Sequence, residues 1–194
     1  MALAVAKLIG LNEDQMANAL SLALVPNVPL VVSRSGVCSM WKGSHSAAAI
    51  RGGIFALLLA REGMTGPGQP FEGRNGAWDK IGPFKNPLRL PFSPDGRLAV
   101  QLSRCKRFPA MISTQVFLEH VPEIRAWTKV EDIASIQIEM SREAMLGQAE
   151  AVHWDPRNSE TADHSLPYVM ALALTDGEVW LSGFTPDRYL EDQG

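Results

Sequence analysis

The sequence predicts an α+β protein with part of an all-α helical domain at residues 1–75 and a small α+β domain at residues 95–194. In the first part, apolar residues recur at helical spacing. In the second part, two stretches alternate apolar and polar residues with the period of a half-buried strand. The sequence between them is rich in proline and glycine, and we place a linker at residues 76–94.

The helical part contains two predicted helices. The first begins at Leu11, with Asn12 as N-cap and Gln15 as its capping-box partner. The second covers Ser44 to Arg61 and is closed by Gly63 at the position after the helix. Because this second helix is apolar or small nearly all round, we expect it to lie inside a helical layer.

The second part combines both kinds of element. The alternating stretches predict strands at 98–102 and 134–140. Helical patterns occupy 110–120, 142–151 and 160–174.

Composition excludes several classes of protein. The 194 residues are 46% hydrophobic and 20% charged, which is typical of a globular chain. A net charge of −3 leaves no broad basic field for nucleic acid or an anionic membrane, so we expect neither partner. Apolar runs are shorter than the roughly 20 residues of a bilayer span, and no leader pattern is present, so we expect a cytoplasmic protein. Cys38 and Cys105 fit no disulfide framework or metal motif, and we expect buried thiols.

The first candidate site is the stretch from Ser39 to His45, at the start of the second long helix. Lys42 stands where the helix dipole prefers an anion, so a bound anion would be attracted by both the dipole and the ammonium. The alternative is a surface lysine whose stem packs on the protein, with Trp41 as an apolar anchor.

The second candidate is the loop Arg104-Cys105-Lys106-Arg107, which carries three cations before a predicted helix. Such a loop is typical of a carboxylate or phosphate site. The alternative is a solvated basic turn without a ligand.

The third candidate is His164, beside a predicted break in the helical backbone. Pro167 cannot donate to the carbonyl of Asp163, so a helix is kinked or begins there. A histidine at such a break could bind a ligand or exchange a proton, or it could be purely structural. Walker-A, dinucleotide, nucleophile-elbow and metal-ligand patterns are absent, so we expect no cofactor and no metal.

Four stretches, taken together, resemble the MmgE/PrpD family, which includes 2-methylcitrate dehydratase, cis-aconitate decarboxylase and iminodisuccinate epimerase. They are Ser39-Met40-Trp41-Lys42-Gly43, the run from Leu58 to Gly73, Lys106-Arg107-Phe108-Pro109 and the run from Glu160 to Tyr168. The first and last are similar to the 2-methylcitrate dehydratase branch. The resemblance implies a metal-independent lyase with a helical domain, a lid domain and a polycarboxylate in the cleft between them.

The resemblance also implies roles for individual residues. Lys42 and Lys106 match the family's active-site lysines, and His164 lies in the motif of the dehydratase branch, so we expect these three to be catalytic. Phe108 stands where Tyr is more usual, and Gln115 where many members carry His. The residues expected to bind substrate are Ser39, His45, Arg104, Arg107, Gln115 and Ser165.

Family members are more than twice as long, and nothing in this sequence corresponds to their early Asp and His. We therefore expect the middle of a 2-methylcitrate dehydratase-like enzyme of propionate catabolism, with a C-terminally incomplete lid and little turnover alone. It would form a homodimer or associate with a missing helical segment. One alternative is a non-catalytic partner that supplies the lid and helical layer to another chain. Another is a cis-aconitate decarboxylase-like or iminodisuccinate epimerase-like enzyme.

Overall fold

The computed structural model describes residues 1–27, 30–82 and 95–191, and within these ranges it contains helices and no β-strand. The predicted α+β class is therefore wrong. The α-helices are α1 (Ala2–Leu8), α2 (Glu13–Leu24), α3 (Trp41–Arg61), α4 (Ala77–Ile81), α5 (Gln115–Glu119), α6 (Val121–Trp127), α7 (Arg142–Met145), α8 (Ser159–Ala162), α9 (Leu166–Asp176) and α10 (Pro186–Glu191). Short 3₁₀ helices cover Val31–Arg34, Ala99–Leu102, Ile112–Thr114, Val130–Asp132, Ala151–His153 and Leu181–Phe184.

Both predicted strands are corrected by the structure. The first, at 98–102, includes the 3₁₀ helix Ala99–Leu102. The second, at 134–140, forms no strand ladder, although Ile138 and Met140 pack against a hydrophobic core. Alternation of apolar residues reports which side chains face a core, whereas a strand also needs a neighbouring strand to bond with. One-sided packing without sheet formation therefore accounts for Ile138 and Met140, whereas Ala134 and Ile136 are exposed.

The chain divides into two compact units. The first contains Met1–Leu30 and Gly43–Gln101, and the second contains Val31–Lys42 and Leu102–Gly194. The predicted boundaries at residues 75 and 95 stay a prediction, and most of the predicted linker, residues 83–94, lies outside the described residues.

The first unit is built on α1, α2 and α3. The capping box of α2 is confirmed, since the Asn12 side chain accepts from the Gln15 amide at 2.9 Å and the Gln15 side chain accepts from the Asn12 amide at 3.1 Å. Gly63 has a φ of 92°, as its predicted position after α3 requires. A small core unites the helices through Ala6, Leu11, Ala19, Leu57 and Ala60.

Helix α3 begins at Trp41 rather than at Ser44, and its 21 residues are long and apolar enough to cross a membrane. The core helix of a soluble protein passes the same test of length and composition. Its buried residues are Gly53, Ala56, Leu57 and Ala60. Its exposed large apolar residues are Trp41, Ile50, Ile54, Phe55 and Leu58. The helix therefore packs on one side only, and the expectation that it lies inside a layer is not met within the described residues.

The second unit packs around α9, most of whose apolar side chains are buried. The predicted helix at 160–174 is divided into α8 and α9, and Pro167 lies in the first turn of α9. The predicted start of a helix at this break is confirmed. The helices expected at 110–120 and 142–151 are each shorter, because 3₁₀ turns or irregular backbone take up the remainder.

The cysteines differ from each other. Cys38 is buried, as expected, whereas Cys105 is exposed, so the expectation of a buried thiol is wrong there.

Candidate active site

Lys42, Asp163 and His164 meet in the second unit. The Lys42 ammonium donates to the Asp163 carboxylate at 2.5 Å and to the Glu160 carbonyl at 2.6 Å, and its Nζ lies 3.0 Å from Nδ1 of His164. The Lys42 side chain is only 12% exposed. The sequence separation of Lys42 and Asp163 is 121 residues, so the fold, rather than local sequence, creates this cluster.

The long helix α3 and the junction between α8 and α9 carry the side chains of the cluster. Lys42 is in the first turn of α3, where its amide donates to the Ser39 carbonyl at 3.0 Å and its own carbonyl accepts from Arg34 at 2.9 Å. Asp163 is the C-cap of the one-turn helix α8. His164 lies between α8 and α9, so the helix break predicted from Pro167 is what brings it beside Asp163.

Electrostatics keep Asp163 ionised. Burial alone would raise the pKa of this carboxyl, but hydrogen bonds from His164 and Lys42 and their positive charge outweigh burial and lower it. The structure thus holds a carboxylate and an ammonium together in a half-buried place, and the ammonium supports the charged form of the carboxylate.

Asp163 also orients the imidazole of His164. Nδ1 of His164 contacts both Lys42 and Asp163, and the contact with Asp163 is the shorter. Nδ1 thus faces an acceptor, the carboxylate, and a donor, the ammonium, whereas the contacts of the cluster do not include Nε2. A carboxylate that orients a histidine ring prepares its other nitrogen for acid–base work.

A second arrangement organises the loop before α5. Oε1 of Gln115 accepts from the amides of Arg107 and Phe108, each at 3.0 Å, and its Nε2 donates to the Phe108 carbonyl at 3.1 Å. The Met111 amide then donates to the Asp163 carbonyl at 3.0 Å. Gln115 therefore shapes the loop, and Met111 ties the loop to the residue that holds Lys42.

The three cations of this loop are exposed. Arg107 pairs with Glu119 at 2.7 Å and stacks over the Phe108 ring at 5.4 Å. Lys106 and Arg104 are exposed as well, and the contacts that gather Lys42, Asp163 and His164 include neither of them.

Two regions of the sequence match models of known protein domains. The model of the MmgE/PrpD N-terminal domain matches residues 1–87, and the model of the MmgE/PrpD C-terminal domain matches residues 108–194. The chain belongs to the MmgE/PrpD family. Lys42 falls in the first of these matches, whereas Asp163 and His164 fall in the second. The cluster of this MmgE/PrpD chain thus joins side chains from both regions of the family sequence.

The remaining predicted substrate ligands have structural contacts. Ser165 is buried and caps α9, since its Oγ accepts from the Tyr168 amide at 3.0 Å and donates to the His153 carbonyl. The Ser39 hydroxyl donates to the Ser33 carbonyl at 3.4 Å. His45 is half-buried on α3. Their predicted roles toward a substrate stay predictions.

Sequence reasoning did not select Asp163, the residue that contacts both Lys42 and His164. A signal was available, because an acidic residue next to a candidate histidine commonly orients the ring. The Glu160 carbonyl could not be found in this way, since a main-chain group leaves no mark on the sequence. Within the described ranges, no group of three His, Cys, Asp or Glu residues lies close enough to hold a metal ion.

Proposed function

We propose that this MmgE/PrpD chain binds a small tricarboxylate at the Lys42 cluster and takes part in eliminating water from it, as a 2-methylcitrate dehydratase-like lyase. Membership of the family supports hydro-lyase-like chemistry as the class. The observation that carries the proposal is the ammonium of Lys42, held half-buried against Asp163 and His164. The proposal includes a role in propionate catabolism through the methylcitrate cycle, in the cytoplasm.

The proposed chemistry divides between Lys42 and His164. Nε2 of His164 would take the proton from the carbon beside a carboxylate, and the Lys42 ammonium would stabilise the negative charge that builds on that carboxylate. Nε2 would then return this proton to the neighbouring hydroxyl, which leaves as water, while Asp163 holds the opposite side of the ring. A carbon–carbon double bond replaces the C–H and C–O bonds, and the reaction as written needs no redox partner.

The loop before α5 would add a second cation for a second carboxylate. Lys106 precedes Met111 by five residues, and five residues of chain span at most about 18 Å. Because Met111 is bonded to Asp163, the loop stays attached to the cluster while Lys106 remains exposed. The proposed ligand is therefore a polycarboxylate rather than a simple monocarboxylate.

Calorimetric titration tests the proposal. We expect the chain to bind 2-methylcitrate more tightly than propionate, and Lys42→Met to weaken binding at least tenfold. Lys129→Met is the matched control, since Lys129 is an exposed lysine in the same unit. Equal affinities in the wild type and in Lys42→Met would contradict the proposal.

A substrate panel tests the reaction. We would follow the appearance of the unsaturated acid from 2-methylcitrate, decarboxylation of cis-aconitate, and epimerisation of iminodisuccinate. Turnover of either of the last two without dehydration would favour the decarboxylase-like or epimerase-like alternative.

A second candidate function is that of a partner subunit, which the exposed face of α3 favours. Ile50, Ile54, Phe55 and Leu58 are 37%, 38%, 63% and 38% exposed on this helix, and exposed apolar groups of this size mark interaction surfaces. The partner would be a second copy of the chain or a helical segment from another one. Sedimentation analysis with an apolar dye decides, because a monomer that binds no dye is incompatible with this function.

A further inference from the structure

The turn that precedes Lys42 is fixed through the main chain of Cys38. The Cys38 amide donates to Oγ1 of Thr161 at 3.1 Å, and the Cys38 carbonyl accepts from Nδ2 of Asn158 at 3.2 Å. Cys38 and Thr161 are each 1% exposed. Hydrogen bonds in such a dry place are strong, and losing one leaves a buried polar group without a partner.

The same one-turn helix also receives the ammonium. Helix α8 supplies the Glu160 carbonyl, and Asp163 is its C-cap; the Glu160 carbonyl and the Asp163 carboxylate both accept from Lys42. Lys42 follows Cys38 by four residues in the sequence. A turn from Ser39 to Lys42 connects them, and it is closed by the hydrogen bond from the Lys42 amide to the Ser39 carbonyl. One small element therefore holds both the backbone that carries Lys42 and the acceptors of its side chain.

These contacts go beyond ordinary helix capping. To cap α8, Asn158 needs only Oδ1, which accepts from the Thr161 amide at 2.7 Å. Its Nδ2 and the Thr161 hydroxyl are directed instead to Cys38, 120 and 123 residues away in sequence. Capping explains neither of these two bonds.

We infer that Thr161 and Asn158 are positioning residues, which hold the Cys38 turn so that the Lys42 ammonium lies between Asp163 and His164. The expected effect on ligand binding rests on the proposed function, in which Lys42 binds a polycarboxylate. The position of the ammonium between its acceptors does not depend on any substrate.

Asp163 provides a readout that a purely structural role would not move. Lys42 and His164 are the charged neighbours that lower the pKa of this carboxyl against the effect of burial. If the ammonium moves away, the pKa of Asp163 rises. The titration can be followed on the full chain through the ¹³C resonance of the Asp163 carboxyl, and Lys42→Met marks the shift for complete loss of the ammonium.

The main variant is Thr161→Val, which keeps the side-chain volume and removes the acceptor of the Cys38 amide. We expect it to raise the pKa of Asp163 part of the way toward the Lys42→Met value and to weaken 2-methylcitrate binding about tenfold. Thr161→Ser restores the hydroxyl and should titrate like the wild type. A wild-type titration of Asp163 in Thr161→Val would overturn the inference.

Asn158→Ser provides the same test if Thr161→Val does not fold. A serine there still caps α8 but is too short to reach the Cys38 carbonyl, so it should also raise the pKa of Asp163. If the variants shift Asp163 while the wild type binds no 2-methylcitrate, the positioning role stands and the proposed function fails. If the wild type binds and the variants leave both Asp163 and affinity unchanged, the positioning role fails and the proposed function stands.

Discussion

Lys42 and Lys106 carry the same charge but sit in opposite surroundings. Lys42 is 12% exposed, and its ammonium contacts a carbonyl, a carboxylate and an imidazole. Lys106 is exposed on a loop between Arg104 and Arg107. One cation is fixed by the protein before any ligand arrives, whereas the other keeps the freedom of a surface side chain.

The difference bears on binding energy. Ordering a free lysine side chain costs up to about 2 kcal/mol in rotamer entropy. Because the Lys42 side chain is already ordered in the folded protein, binding a ligand does not require this cost again. A pre-placed cation therefore favours a defined ligand geometry, and a mobile cation favours attraction of any anion. In the proposed reaction Lys42 would stabilise the developing charge, while Lys106 would help to retain the second carboxylate.

The largest expected change in stability comes from removing the Lys42 ammonium, with Lys106 as the comparison. Lys42→Met leaves the half-buried Asp163 without its ion-pair partner, so we expect the free energy of unfolding at pH 7 to fall by about 2–3 kcal/mol. Lys106→Met removes an exposed charge and should change it by less than about 0.5 kcal/mol. Urea unfolding followed by circular dichroism measures both, and equal effects would show that the two lysines do not differ as described.

Asp163→Asn tests the other partner of the pair, with an expected loss of about 1–2 kcal/mol at neutral pH. Because the pKa of Asp163 is lowered, its contribution to stability is complete above the ordinary value of 3.8 and is lost as the pH falls through the lowered value. The unfolding free energies of wild type and variant should therefore converge in acid. Asp155→Asn, at an exposed ion pair with Arg157, is the control and should cost less. If the unfolding free energies of wild type and Asp163→Asn differ by the same amount at every pH down to the acid limit, the Asp163 carboxylate does not stabilise the fold as described.

Local patterns allowed part of this fold to be predicted. The start of α2 and the end of α3 follow from side chains and glycine within a few residues, so Asn12, Gln15 and Gly63 were sufficient. Strands were predicted wrongly because a ladder depends on a distant partner that alternation cannot reveal. The stretch at 134–140 shows the point, since Ile138 and Met140 pack against the core although the stretch forms no strand ladder.

The candidate site was predictable to a similar degree. Motif resemblance singled out Lys42 and His164, which the fold brings to within 3.0 Å of each other. It could not show that Thr161 holds Cys38 across 123 residues, because such a bond depends on tertiary packing. Nor could it show that the Gln115 amide, predicted to contact substrate, bonds to its own loop.

His153, close to the Lys42 cluster, should make the free energy of unfolding depend on pH near neutrality, above the acid range in which Asp163 acts. His153 is fully buried and its carbonyl accepts from Ser165, next to His164. Burial lowers the pKa of His153 from its ordinary value of 6.5, although Glu150 opposes the shift. Its neutral form is thus favoured in the fold, and stability present above pH 6.5 is lost as the pH falls toward the lowered value.

We expect the wild-type chain to become less stable between pH 7 and pH 5 through His153, because the unfolded chain takes up a proton that the buried ring resists. His153→Asn should be less stable at pH 7, because it leaves a cavity, but should show a flatter dependence on pH. His120→Asn is the control, with a side chain 63% exposed beside Glu123. If the free energy of unfolding of His153→Asn depends on pH as steeply as that of the wild type, His153 is not the source of the pH dependence.

The smallest change in stability is expected at the exposed ion pair of the basic loop before α5. Arg107 and Glu119 lie 2.7 Å apart, but their side chains are 71% and 45% exposed. Water and salt screen such a pair, so Glu119→Gln should lower the free energy of unfolding by less than about 1 kcal/mol, and by less still in high salt. Urea unfolding at two salt concentrations measures this. If Glu119→Gln costs as much as Asp163→Asn and salt does not reduce the cost, the basic loop is held as firmly as the Lys42 cluster, and the contrast between the two lysines fails.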